Sequence, residues 1–220
     1  MGEFDYTLRV KNDSGETRDF AVFQKAPKQD KSIQSLAWFV KTIHDNPAMD
    51  PAADSAAFKW NEDYSFVWSE TGELNDQVHF EASDAWPADT SAVKTSSTRK
   101  KAGDQVGFDK EGGAYTFQQV DRPNDVQKGQ LLVKCGGNTE KKKTSIGLAM
   151  YGSPFFAVQA EPNFNWIFAP EPEYWIVATK LVKGDAISAV GMSNAYKIDF
   201  SLSNDVTVTY DGQNRFSQQR

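Results

Sequence analysis

The period-two alternation of apolar and polar residues constrains this chain more than any other feature. Tyr6, Leu8 and Val10 alternate with Thr7, Arg9 and Lys11. Tyr196, Ile198, Phe200 and Leu202 alternate with Lys197, Asp199, Ser201 and Ser203. Val206, Val208 and Tyr210 alternate with Thr207, Thr209 and Asp211. Successive side chains of a strand point to opposite faces, so each run sets one face on a core and one in water. Phe20–Gln24, Leu36–Val40, Tyr64–Trp68, Tyr115–Gln119 and Leu131–Cys135 repeat the pattern less cleanly. Phe155–Ala160, Asn165–Phe168 and Tyr174–Leu181 are apolar on both faces, as central strands are. Turn residues separate the runs, as at Asn12-Asp13-Ser14-Gly15, Glu111-Gly112-Gly113, Lys183-Gly184-Asp185 and Asp211-Gly212. No window of a dozen residues holds a 3.6-residue period, and only the Ala-rich stretch from Pro47 to Phe58 has room for a short helix. The chain therefore reads as one all-β domain over residues 1–220: an antiparallel β-sandwich of about ten or more strands. Residues 81–113 are rich in Ala, Ser, Asp, Thr and Lys with little periodicity, and read as a long surface insertion or mobile loop.

Charge and composition remove several function classes. Thirty acids against 24 bases leave a net charge of −6, which opposes non-specific nucleic-acid binding. One cysteine and two histidines leave no basis for a disulfide framework or a metal site, and no cofactor is expected. No apolar run reaches the eighteen or so residues of a membrane span, and no secretory signal is visible, so a cytoplasmic location is expected. Charge is unevenly spread: residues 44–93 hold eleven acids against Lys59, and residues 94–143 hold eleven bases against six acids. Blocks of opposite sign read as two solvated faces, as faces folded against each other, or as surfaces that pair between molecules in a homo-oligomer.

No strong catalytic motif is present. Gly191-Met192-Ser193-Asn194-Ala195 is nearest to a nucleophile elbow but lacks its final glycine, and a turn serine is expected there. His44 and His79 lack a visible nucleophile, Cys135 alternates in phase with Leu131 and Val133 as a buried thiol would, and Lys141-Lys142-Lys143 reads as a solubilising turn. Glu171 and Glu173 would project from one face of an extended segment, as Glu62/Asp63 and Glu70/Glu73 flank the Trp68 run, and paired carboxylates suit glycoside hydrolysis. Pro170 and Pro172 instead favour an exposed turn, where an acid is a poor proton donor. Of the six tryptophans, Trp38, Trp68, Trp166 and Trp175 sit in strand phase and read as core, Trp175 in a central strand. Trp60 and Trp86 lie among polar residues and are the candidates for stacking on a sugar. A faint echo links Phe20-Ala21-Val22-Phe23-Gln24 to Phe156-Ala157-Val158-Gln159.

Three segments taken together resemble a known family. They are Asp5-Tyr6-Thr7-Leu8 through Phe20–Pro27 to Ser35–Phe39, then Asp63–Trp68, then Phe156–Asn163 through Phe168 to Pro172–Ile176. Their order is similar to that of the rhizosphere-induced RhiA-type proteins of bacteria, which have relatives in fungi. The resemblance spans Asp5 to Tyr210 except the stretch around 81–113. It implies a β-rich protein of plant-associated or population-density-controlled physiology and supplies no catalytic or binding residue. The sequence thus points to a non-enzymatic β-sandwich that recognises a glycan or other surface ligand, with Trp60, Trp86, Glu171 and Glu173 as candidate contacts. A self-associating structural protein and a carboxylate-based hydrolase stay open as alternatives.

Overall fold

The structure, a computed structural model, describes residues 6–26, 32–44, 54–75, 78–171 and 173–219. In chain order its strands begin with β1 (Tyr6–Asp13), β2 (Arg18–Gln24), β3 (Gln34–Ser35), β4 (Phe39–Ile43), β5 (Ser55–Trp60) and β6 (Tyr64–Ser69). There follow β7 (Asp84–Pro87), β8 (Gln105–Glu111), β9 (Ala114–Gln118), β10 (Leu131–Cys135), β11 (Ser145–Met150) and β12 (Ser153–Gln159). The last are β13 (Asn165–Phe168), β14 (Tyr174–Ala178), β15 (Tyr196–Lys197), β16 (Asp205–Asp211) and β17 (Phe216–Gln218), with a one-turn helix α1 (Ala189–Ser193) between β14 and β15.

These strands form four sheets. Sheet I has the order β17-β16-β1-β5, sheet II β15-β14-β2-β4, sheet III β9-β8-β10-β13 and sheet IV β7-β6-β11-β12-β3. The expected sandwich is built twice. Sheet I packs on sheet II, where Phe20 meets the edges of Tyr210 and Phe216. Sheet III packs on sheet IV, where Trp68 lies against Phe108 and Tyr115. One buried cluster runs through both, from Leu8, Val10 and Val208 to Val106, Val133 and Ile146. Trp38 joins the two sandwiches: it follows β3, its amide bonds Val22 of β2, and its indole N–H donates to the Met150 carbonyl of β11 at 2.8 Å.

The two sandwiches share one topology. In sheet I, β16 lies parallel to β1 and antiparallel to β17, while β1 is antiparallel to β5. In sheet III, β8 lies parallel to β10 and antiparallel to β9, while β10 is antiparallel to β13. Sheet II runs antiparallel throughout as β15-β14-β2-β4, and sheet IV matches it as β7-β6-β11-β12. One repeat is therefore β6–β13, and the other is β14–β17 completed by β1, β2, β4 and β5. Register assigns equivalent residues: Val10 opposes Val208 as Val133 opposes Val106, so Lys11 corresponds to Lys134. Phe58 precedes Tyr64 by the same step as Phe168 precedes Tyr174. The echo between β2 and β12 is not this repeat, since β2 corresponds to β11.

Several expectations need correction. Residues 81–113 are not simply a surface insertion, because their ends are β7 and β8, and Trp86, Gln105, Val106 and Phe108 are buried. Between them, Asp104 is fully buried and accepts the amides of Lys94 and Thr95 at 2.8 Å each. Tyr196–Leu202 does not form the long strand its alternation suggests. The Asp199 carboxylate accepts the Ser201 amide at 2.9 Å, which turns the chain, and Leu202 is left 86% exposed. Ser55–Trp60, within and beyond the expected helix from Pro47 to Phe58, is strand β5; residues 47–53 lie outside the described residues.

Candidate functional site

Strand phase decides where the sequence candidates go. On β5, Trp60 follows Phe58 onto the inner face while Lys59 points outward. Trp60 is fully buried despite its polar neighbours in sequence, so it offers no stacking face. Trp86 of β7 is likewise buried, packed on Phe117 with the Arg99 guanidinium 5.7 Å from its ring centroid. The expectation of exposed sugar-stacking rings at these two positions is overturned by the same cause: both close a sheet-to-sheet gap. Trp38, Trp68 and Trp166 are buried as expected. Trp175 lies in central strand β14, but on its outer face and only half-buried, with the Lys25 ammonium 3.3 Å from its ring centroid.

The other reactive types are engaged locally. Ser193 ends α1 and donates to the Val190 carbonyl at 2.8 Å, as a turn serine does. His44 is exposed and lies 3.1 Å from the Thr17 hydroxyl. His79 faces Asp185 at 3.0 Å where the β6–β7 and β14–β15 connections meet. Cys135 is buried, and burial pushes its thiol up to about 12. Among the described residues no group of three His, Cys, Asp or Glu side chains could hold a metal ion.

Glu173 is the sequence candidate that reaches a cavity. A cleft of about 620 Å³ at the end of the first sandwich is lined by Tyr6, Glu173, Lys197, Ile198, Phe200 and Asn204, together with Asp199 and Ser201. The Glu173 carboxylate pairs with the Lys197 ammonium across β14 and β15. Tyr6 and Phe200 meet edge to face with centroids 5.1 Å apart, and both are half-buried. Trp60 stands behind them, stacked on Tyr6 at 5.6 Å and edge-on to Phe200 at 5.7 Å. Tyr174 completes the backing, and its hydroxyl donates to Glu62 at 3.0 Å. Burial first, and the Glu62 charge second, push the Tyr174 phenol far above the ordinary tyrosine range, so it stays a donor at any working pH. Glu171 is exposed and does not line this cleft, so the expected Glu171/Glu173 pair is not assembled there. Tyr6, Lys197, Asp199, Phe200 and Asn204 escape a reading of the sequence because they come from opposite ends of the chain. The β14–β15 pairing sets Lys197 beside Glu173, and the β1–β16 pairing, with the Thr7 amide on the Asn204 carbonyl, brings Tyr6 to them.

The cleft is a polar-rimmed aromatic hollow of ligand size, whose rings rest on a rigid indole instead of a loop. Fold and cleft define a class: a twofold-repeated β-sandwich protein with an aromatic surface cleft at one end. The chain belongs to the RhiA family, whose family model matches residues 3–220. It is 30% identical over 184 residues to "Protein RhiA" of Rhizobium leguminosarum bv. viciae, covering 83% of this chain and 72% of that protein. No solved structure matches it. Among the described residues no helix is long and apolar enough to cross a membrane.

Proposed function

We propose that the protein is a non-enzymatic binder of a carbohydrate or similar polyhydroxylated surface ligand, held in the Tyr6–Phe200 cleft. The single observation that carries this reading is the pairing of two half-buried rings with a rim of Glu173, Lys197, Asp199 and Asn204. A pyranose has an apolar C–H face and a girdle of hydroxyls. Rings suit the first, and carboxylate, ammonium and carboxamide groups suit the second. A hydrolytic role for this rim is disfavoured, because Glu173 is tied to an ammonium and Asp199 to a backbone amide. A general acid instead needs a site that holds its proton.

Pairing of the two charge blocks between copies loses its simplest support. Arg99 bridges to Asp84 at 2.9 Å and Lys142 to Glu73 at 2.9 Å, both within one chain. The binding reading is tested with a saccharide array followed by titration calorimetry on the best hit. Glu173→Gln and Asn204→Ala should each weaken binding about tenfold, the worth of one charged or well-placed hydrogen bond. Their melting temperatures should stay within a few degrees of the parent. An array with no hit, or a hit indifferent to both changes, rejects this cleft as the site.

A further inference from the structure

The two repeats provide an internal comparison at the outer faces of sheets I and III. On sheet I, Lys11 is paired with Asp13 at 2.8 Å. At the corresponding places on sheet III stand Lys134 and Gly136, so the partner carboxylate is gone. No side chain could restore it there, since a Cβ on Gly136 would lie 2.1 Å from an Asp109 carboxylate oxygen. Asp109 itself is occupied, accepting the Asn138 amide at 2.9 Å and its carboxamide at 3.2 Å. Lys134 is exposed and makes no ion pair among the described residues, and the same holds for Arg122.

Both cations line one groove of about 740 Å³ on the outer face of sheet III. Its floor is Gly107 and Lys134, and its far wall carries Asn163 and Asn165. The near wall is the connection from β9 to β10, residues 119–130, which contributes Asp121 and Arg122. This connection is pinned to the sheet by fully buried Gln105. Its carboxamide donates to the Asn124 carbonyl and accepts the Asn124 amide, each at 2.7 Å. In the other repeat the matching place lies between β17 and β1, which no connection joins among the described residues.

We infer that this groove binds an acidic saccharide, with its carboxylate on Arg122 and Lys134 and its hydroxyls on Asn163, Asn165, Gln118 and Asp121. Both cations of the groove lack an ion pair among the described residues, while of its two carboxylates Asp109 is held by Asn138, so the carboxylate of a ligand can pair with Arg122 and Lys134. The carboxamides that outnumber them select a ligand with many hydroxyls and little charge, where a bare phosphate would fill only a corner. Among the described residues the one ring lining the groove, Phe108, is buried, so neutral sugars lack a stacking platform here, unlike at the Tyr6–Phe200 cleft. The site stands or falls separately from that cleft.

The test is titration calorimetry with a trimer of glucuronic or galacturonic acid, a neutral trimer of glucose and inorganic phosphate. Parent, Arg122→Gln, Lys134→Gln and Lys11→Gln proteins are compared. The acidic trimer should bind the parent more tightly than either other probe. Its affinity should fall about tenfold or more in the Arg122 and Lys134 variants and stay unchanged in the Lys11 variant. Absence of binding by the acidic trimer overturns the inference. So does equal affinity in all four proteins, or phosphate binding as tightly as the trimer. Glu173→Gln should leave this binding intact, so failure at the cleft and failure at the groove are read apart.

Discussion

Cys135 shows how much a single residue's environment governs its chemistry. It sits on the inner face of β10, 3% exposed, beside Trp166 and Phe108 of the same core cluster. An unfolded chain releases a thiol proton near pH 8.5, whereas in the fold burial holds it up to about 12. The folded value is the higher, so the folded state keeps the proton longer. Its stabilising contribution is complete below about pH 8.5 and is lost as pH climbs toward the folded value. At about pH 8 the native protein should leave an aromatic disulfide reagent unreacted, and the same protein in strong urea should react with one equivalent. The urea midpoint should also drop between about pH 9 and 11, and Cys135→Ala should abolish that part of the drop. A prompt native reaction at pH 8 would show that the thiol is open to solvent. The same inward phase explains Trp60 and Trp86: hydrophilic neighbours in sequence describe the other face of the strand, and say nothing about where the ring itself goes.

At the level of elements, legibility followed the number of consecutive alternations. β1, β16 and β14 display three or more inward positions in a row, and each was legible. β8 was hidden because its outward positions, Gln105, Gly107 and Asp109, surround only two apolar ones, Val106 and Phe108. β7 is four residues long and carries one large apolar side chain. The Tyr196–Leu202 run erred in the other direction: its pattern is clean, yet a short Asx turn at Asp199 diverts it. Side-chain bonding to nearby amides competes with ladder pairing and leaves no mark on periodicity. The segment joining β7 to β8 is held by polar atoms, so hydrophobic patterning does not reveal it. Asp104→Ala would strip the acceptors from the Lys94 and Thr95 amides and cost about 1–3 kcal/mol, a drop of several degrees in melting temperature. Asp104→Asn keeps one acceptor and should recover part of the loss. An unchanged melting curve for the alanine variant would restore the picture of an expendable surface insertion.

Over the whole molecule, the repeat explains both the order of the strands and why the sequence conceals it. One repeat is continuous, β6–β13, while the other is split, with β14–β17 at the end of the chain and β1, β2, β4 and β5 at its start. A search for self-similarity along the chain compares β1 with β6, and these are not equivalent. The split repeat is closed by the parallel pairing of β1 with β16, from Thr7 opposite Asp205 to Asp13 opposite Asp211. In the continuous repeat the corresponding join is residues 119–130, between Gln118 of β9 and Leu131 of β10. It follows that the chain can be recut. Joining the end of the chain to its start through about five glycine and serine residues would supply a connection of similar length. Opening it between Asp125 and Val126 would convert the split repeat into the continuous one. Closing a loop of this size changes entropy by roughly 1 kcal/mol, so the permuted protein should melt cooperatively within a few degrees of the parent. Removal of residues 205–220 is the opposite experiment. It takes away the parallel partner of β1 and the buried side chains of Val206, Val208 and Tyr210. Three such side chains are worth several kcal/mol together, comparable with the whole stability of a domain, so the shortened chain should not fold. A truncated chain that melts like the parent would mean that the β1–β16 pairing does not close the fold, and a permuted chain that cannot fold would mean that the two repeats are not interchangeable in their connections.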